Sequence, residues 1–220
     1  MNLEKSLKRI GELMAVFVTQ VVADNAMAML DKNRIAEDVL IPVFSEAYNY
    51  PQLVNLKQSG ANYPAIDLGD KTARVAFQVS SDVDSPKVKE TLKSFVRHQH
   101  FKEYDHLIIY SITSKQGSYR GAGWDRIIGG QFRFSKEDDI RDYRDLLATI
   151  RNLPLEKIQR IDRIPCRRVG DDGEGIVIGV SDSGSLIDGD PVGAVTPGLN
   201  PVHRLVTFSG KVIGPRRRGQ

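Results

Sequence analysis

With 220 residues, 40% of them hydrophobic and 27% charged, the chain is long enough to bury a core and has the composition of a globular domain. Its net charge of +3 is too small to attract nucleic acid by a global field, so any such binding must rest on a local patch. A single cysteine, Cys166, excludes an internal disulfide framework and suits a reducing compartment.

The N-terminal stretch MNLEKSLKRIGELM reads as an amphipathic helix and not as a secretory signal. Leu3, Leu7, Ile10, Met14, Phe17 and Val21 alternate in steps of four and three, which draws one apolar stripe along a helix. Two readings stay open for it: packing on its own domain, or a homodimer formed through this helix. The apolar run from Leu13 to Ala23 is broken by Thr19 and Gln20 and falls short of the ~20 residues a bilayer requires. The expectation is a cytoplasmic protein with no membrane partner.

A second helix is predicted from Arg34 to Tyr48, with Asp31 or Asn33 as N-cap and Glu37 and Asp38 in the first turn, where carboxylates suit the helix dipole. Pro42 is expected to kink or shorten it. Glu37 then reads either as a helix-start charge or as a functional carboxylate.

After a loop around Ser59–Pro64 comes a hairpin, Ala65 to Ser81, AIDLGDKTARVAFQVSS. Asp67 ends its short first strand. In the second strand Val75, Phe77 and Val79 point one way, and Arg74, Ala76, Gln78 and Ser80 point the other. Asp67 and Gln78 share a face if the connecting loop is even-numbered, and a bulge at Asp70–Ala73 breaks that parity. Placing an acid and an amide beside a core is costly unless each is bonded or used. The plainer alternatives are a turn-capping Asp67 ahead of Gly69 and a Gln78 on a solvated edge strand.

Ser85 as N-cap and Pro86 open a third helix, buried through Val88, Leu92, Phe95 and Val96, with Lys87, Lys89 and Lys93 on its polar side. His106–Thr113 reads as a strand covered on both faces. A glycine-rich loop around Gly117–Gly130 leads to a short edge strand at Gln131–Phe134. Ser135 and Asp138 then resemble a capping box for a helix through Arg151, with Ile140, Tyr143, Leu146, Leu147 and Ile150 on its core face. A last helix spans Leu155–Ile161. This order describes an α/β sandwich, a small mixed sheet flanked by helices with the N-terminal helices first.

From Cys166 the composition changes: eleven of the nineteen glycines fall in the last 55 residues, and Lys211 is the one lysine there. The boundary is therefore drawn at 1–163 and 164–220. The tail reads as a small β appendage, a disordered tail, or a segment foreign to the domain. His98 and His100 in HQH point apart on a helix and do not make a zinc site. GAGWDRIIGG lacks the lysine and spacing of a P-loop and reads as a flexible loop.

Metal-dependent phosphodiester cleavage needs oxygen ligands for Mg²⁺ and a cation, usually lysine, near the reacting phosphate. Asp67, the amide oxygen of Gln78 and the backbone carbonyl of Val79 can supply such oxygens. AIDLGDKTARVAFQVSS, followed by PKVKETLKSFV, DHLIIYSIT and FRFSKEDDIRDYRDLLATIRNLPLEKIQRI, resembles the SMEK domain, a family of bacterial proteins associated with phage defence. The hairpin itself is similar to the PD-(D/E)XK nucleases in their variant with Gln as second ligand.

The resemblance covers roughly residues 1–163. It implies a restriction-endonuclease-like fold, a Mg²⁺ cofactor and a nucleic-acid partner, DNA rather than RNA. It further implies Asp67 as the metal-binding acid, Gln78 as the second ligand and Glu37 as the acid on the preceding helix. The motif lysine is replaced by Ser80, so the resemblance transfers its role to Lys87 or Lys89. A catalytically inactive nuclease-fold module for nucleic-acid binding or self-association is the alternative.

Overall fold

The computed structural model describes residues 2–28, 32–59, 63–119 and 123–164. Asp31, Cys166 and the tail readings beyond residue 164 lie outside the described residues.

Helix α1 runs Leu3–Ala26, with the Asn2 side chain accepting a hydrogen bond from the Glu4 N–H at its start. Ile10, Met14 and Val21 are buried, and Leu7 and Phe17 pack on the same core, so the stripe is the face the helix turns to its own domain.

Helix α2, Lys32–Tyr48, begins earlier than the sequence predicts. Asn33 therefore lies inside it rather than capping it, and Glu37 and Asp38 belong to the second turn, not the first. Pro42 sits within the helix without ending it. A proline there costs about 3 kcal/mol, but Leu40, Phe44 and Ala47 are buried on both sides of it. The Phe44 ring stacks on Phe77 at 4.9 Å and meets Tyr110 edge-on at 4.7 Å, a packing gain that offsets the cost of the proline.

The sheet has five strands in spatial order β1 (Val54–Asn55), β2 (Leu68–Asp70), β3 (Val75–Ser80), β4 (His106–Ser111) and β5 (Ile140–Asp142). The first three are antiparallel neighbours, and β3, β4 and β5 run parallel. Val75, Phe77 and Val79 join Ile108 and Tyr110 in a core with α1, α2, α5 (Tyr143–Arg151) and α6 (Leu155–Asp162). Ala76, Leu107 and Ile109 face the opposite core, beneath α3 (Ser85–Arg97) and the one-turn helix α4 (Trp124–Ile128). The period-two alternation read from the hairpin thus separates two helical layers around one sheet.

The β2–β3 turn, Lys71–Arg74, has an even number of residues, and the ladder pairs Leu68 with Phe77 and Asp70 with Val75. Asp67 does not end a strand but immediately precedes β2. Asp70 caps the turn, its carboxylate accepting from Thr72 N–H at 2.9 Å and Ala73 N–H at 2.8 Å. Gly69 is required by close approach: a Cβ there would lie 2.8 Å from the Tyr104 hydroxyl.

Three further expectations are corrected. Asp84, not Ser85, caps α3, accepting from the Lys87 N–H at 2.7 Å. The third parallel strand is β5 and not Gln131–Phe134, whose aromatics pack instead, Phe132 on Phe95 and Phe134 on Trp124. The helix predicted from Ser135 starts only at Tyr143, where Asp142 and Asp145 form a capping box with both reciprocal bonds. At Ser135 and Asp138 a single turn forms, because Ile140 is drawn into the sheet beside Ile109. Within the glycine-rich loop, Trp124 and Ile128 bury as α4 between left-handed Gly123 and Gly129.

Candidate functional site

Asp67 enters β2 with its backbone already fixed: its N–H donates to Phe77 O and its carbonyl accepts from Leu56 N–H, both at 2.8 Å. Its carboxylate is nearly buried. Oδ2 accepts from the Val79 N–H at 2.7 Å and from Gln78 Nε2 at 2.6 Å. The amide of Gln78 also lies 3.3 Å from Val79 O, so Asp67, Gln78 and the Val79 backbone form one knot. Because β3 lies between β2 and β4, Gln78 is not on a sheet edge.

Glu37, on α2, belongs to the same cluster. Its Oε2 accepts from Asn55 Nδ2 at 3.3 Å, and Asn55 also bonds Asp38 at 2.9 Å. The link between the two acids is Lys57, on the 3₁₀ turn Leu56–Ser59 that follows β1. Its ammonium stands 2.6 Å from Glu37 Oε1 and 2.7 Å from Asp67 Oδ1. The Asn55 side chain accepts from the Lys57 N–H at 3.0 Å, which seats the turn that carries the lysine.

Burial pushes the Glu37 carboxyl above its ordinary range. The Lys57 hydrogen bond only partly reverses this, and the Asp67 charge adds to it. Burial pulls the Lys57 ammonium down, but its hydrogen bonds to Asp67 and Glu37 outweigh that and hold it above the usual lysine value. The Lys57 side chain is 46% exposed, against 3% for Glu37 and 6% for Asp67. Two sunken carboxylates thus open to solvent along the lysine stem.

The structure brings together Glu37, Asp67, Gln78 and Val79. Lys87 stands apart in role, in the first turn of α3, where its ammonium pairs with Glu90 at 3.7 Å. Lys57 was missed by the sequence reading. The available signal was charge balance: buried carboxylates demand a counter-charge, and Lys57 and Lys71 are the lysines closest in sequence to Asp67. Lys71 is committed to Glu103 at 2.8 Å.

The fold and this cluster define a mixed α/β domain with a carboxylate-lined polar site at the start of its hairpin. The chain belongs to the SMEK domain family, which matches residues 9–151, a span holding every residue of the cluster. No curated protein and no solved structure matches the chain. No helix among the described residues is long and apolar enough to cross a membrane.

Among the described residues no group of three or more His, Cys, Asp or Glu side chains is placed to hold a metal ion. The cluster is of another type, two carboxylates with one amide. One oxygen of each acid, Glu37 Oε1 and Asp67 Oδ1, meets the same Lys57 nitrogen, while Gln78 turns its amide nitrogen to Asp67 Oδ2. A hard ion such as Mg²⁺ commonly takes one or two carboxylates and completes its shell with water and substrate phosphate. Glu37 and Asp67 would supply two such carboxylates, and in this structure the Lys57 ammonium holds the point between them.

Proposed function

We propose that this chain is a Mg²⁺-dependent endonuclease domain on a restriction-endonuclease-like fold, hydrolysing phosphodiester bonds in nucleic acid, DNA rather than RNA, in a bacterial defence setting. The observation that carries this reading is the convergence of Glu37 Oε1 and Asp67 Oδ1 on one cation position beside Gln78. When bound, the ion would polarise a phosphate oxygen and lower the pKa of a water molecule.

The protein's own part is positional. Val79 N–H and Gln78 hold one oxygen of Asp67, so the other is aimed at the shared point. Asn55 does the same for Glu37. Lys87 and Lys89, on the polar side of α3, are assigned to flanking phosphates as mobile point charges.

The test is cleavage of supercoiled plasmid by the purified full chain with Mg²⁺. Asp67→Asn and Glu37→Gln are expected to lower the rate by about 100-fold or more while the fold is kept. Cleavage that survives Asp67→Asn, or that persists in chelator, overturns the assignment.

A second reading has its own support: Ser80 stands where the motif lysine is expected, and Lys57 holds both acids. A non-catalytic nucleic-acid-binding module follows from it. It predicts DNA binding without turnover, unchanged by Asp67→Asn.

A further inference from the structure

The ammonium of Lys57 stands at the position an ion would need. It is 2.6 Å from Glu37 Oε1 and 2.7 Å from Asp67 Oδ1. An ion held by the same two oxygens at about 2.0–2.1 Å overlaps that nitrogen, so the two cations exclude each other. We propose that Lys57 is a tethered occupant of the divalent-cation site, displaced when the ion binds, so that the chain sets its own threshold for metal. This inference rests on the metal-centre reading above.

The constraints on the three side chains differ in the way displacement requires. Asp67 is pinned by Val79 N–H at 2.7 Å and by Gln78 at 2.6 Å, and Glu37 is held by Asn55 at 3.3 Å. Both acids are buried and stay in place. Lys57 has its backbone N–H tied to Asn55, but its side chain is 46% exposed. Rotation about its own bonds carries the ammonium into water without moving the turn. The ion pairs join a half-exposed lysine to two buried acids, so the lysine leaves only as another cation arrives to balance those carboxylates. The device is a rigid pair of acids with one mobile cation.

The consequence for affinity is a fraction. An ion finds the site only when the lysine is out, so apparent affinity falls by the fraction of time the site is open. If the lysine occupies it nine-tenths of the time, the loss is about ten-fold.

Two measurements on the full chain test this. In the first, Mn²⁺ binding is followed by calorimetry for the unaltered chain, Lys57→Met, and Lys57→Met combined with Asp67→Asn. About ten-fold tighter binding by the single variant, lost in the double variant, is the expected result. In the second, Mg²⁺ is titrated into unaltered protein while the Lys57 side-chain NMR signals are followed. They should shift and saturate together with those of Asp67.

Equal or weaker Mn²⁺ binding by Lys57→Met overturns the proposal and leaves the metal-centre reading standing. Asp67 signals that respond while Lys57 stays unmoved also overturn it, because a field effect of the lost charge then explains any gain. Absence of Mn²⁺ binding in every form ends both readings. If Lys57→Met fails to fold, the titration of the unaltered chain decides alone.

Discussion

Gly69→Ala tests whether the sheet beside the site is as tightly closed as its geometry states. The new Cβ would lie 2.8 Å from the Tyr104 hydroxyl, 3.1 Å from its ring and 3.0 Å from a methyl of Leu56. The Leu56 methyl can turn away, but Tyr104 is fully buried and cannot. Overpacking of this kind costs about 1–3 kcal/mol. With Tyr104 unable to yield, the cost lies in the upper part of that range, about 2–3 kcal/mol; removing a glycine from the unfolded chain returns about 0.4–1 kcal/mol, leaving a net loss of about 1–2.6 kcal/mol. For a domain of this size that lowers Tm by roughly 2–10 °C.

The buried Tyr104 hydroxyl has no hydrogen-bond partner among the described residues, and burial pushes its pKa up to about 12. Tyr104→Phe should therefore leave stability nearly unchanged. In Gly69→Ala/Tyr104→Phe the closest clash is gone, and about 1 kcal/mol of the loss should return as coupling between the sites. The assay is urea unfolding of the four members of the cycle. A neutral Gly69→Ala, or a strictly additive double variant, would mean that Tyr104 does not close on Gly69 as tightly as the 2.8 Å approach requires.

Asp142→Ala removes a fully buried cap that accepts from Arg144 N–H at 2.9 Å and Lys115 N–H at 3.1 Å. It should cost about 2–4 kcal/mol, read by chemical unfolding; a loss below about 1 kcal/mol contradicts this. Asp67→Ala orphans the Val79 N–H and leaves Lys57 with one acid. A loss of about 2–4 kcal/mol is expected in the same assay, whereas Asp67→Asn, which keeps an acceptor, should lose less. His100 is held below its ordinary pKa by burial, which outweighs its bond to Pro64 O at 2.9 Å and is reinforced by the His98 charge. The unfolded chain therefore takes up the proton first as pH falls. Stability should be full above pH about 6.5 and decline between there and the folded-state pKa. His100→Phe, followed by thermal melts across that range, should flatten the slope; an unchanged slope assigns it elsewhere.

What could be read from residues alone was decided by local rules. Alternation at Val75–Val79 separated the two cores because a strand has no other way to face two layers. The even turn at Lys71–Arg74 set Asp67 beside Gln78 because pairing parity follows from loop length. Where two local signals competed, long-range packing chose. Ser135 and Asp138 carry a helix-start pattern, yet the helix begins only at Tyr143, because Ile140 pairs next to Ile109 on β4. Lys57 was hidden for a similar reason. Its reach to Glu37 and Asp67 depends on a 3₁₀ turn seated by Asn55, and no periodicity marks that turn.

The outer strands of the described sheet are only two and three residues long, Val54–Asn55 and Ile140–Asp142. An exposed strand edge is a template for adding another chain's strand, and very short edges remove that template. The described sheet therefore offers little edge on which strands of other copies could stack. Among the described residues, a second copy or an extended peptide finds at most three residues of outer strand to pair with.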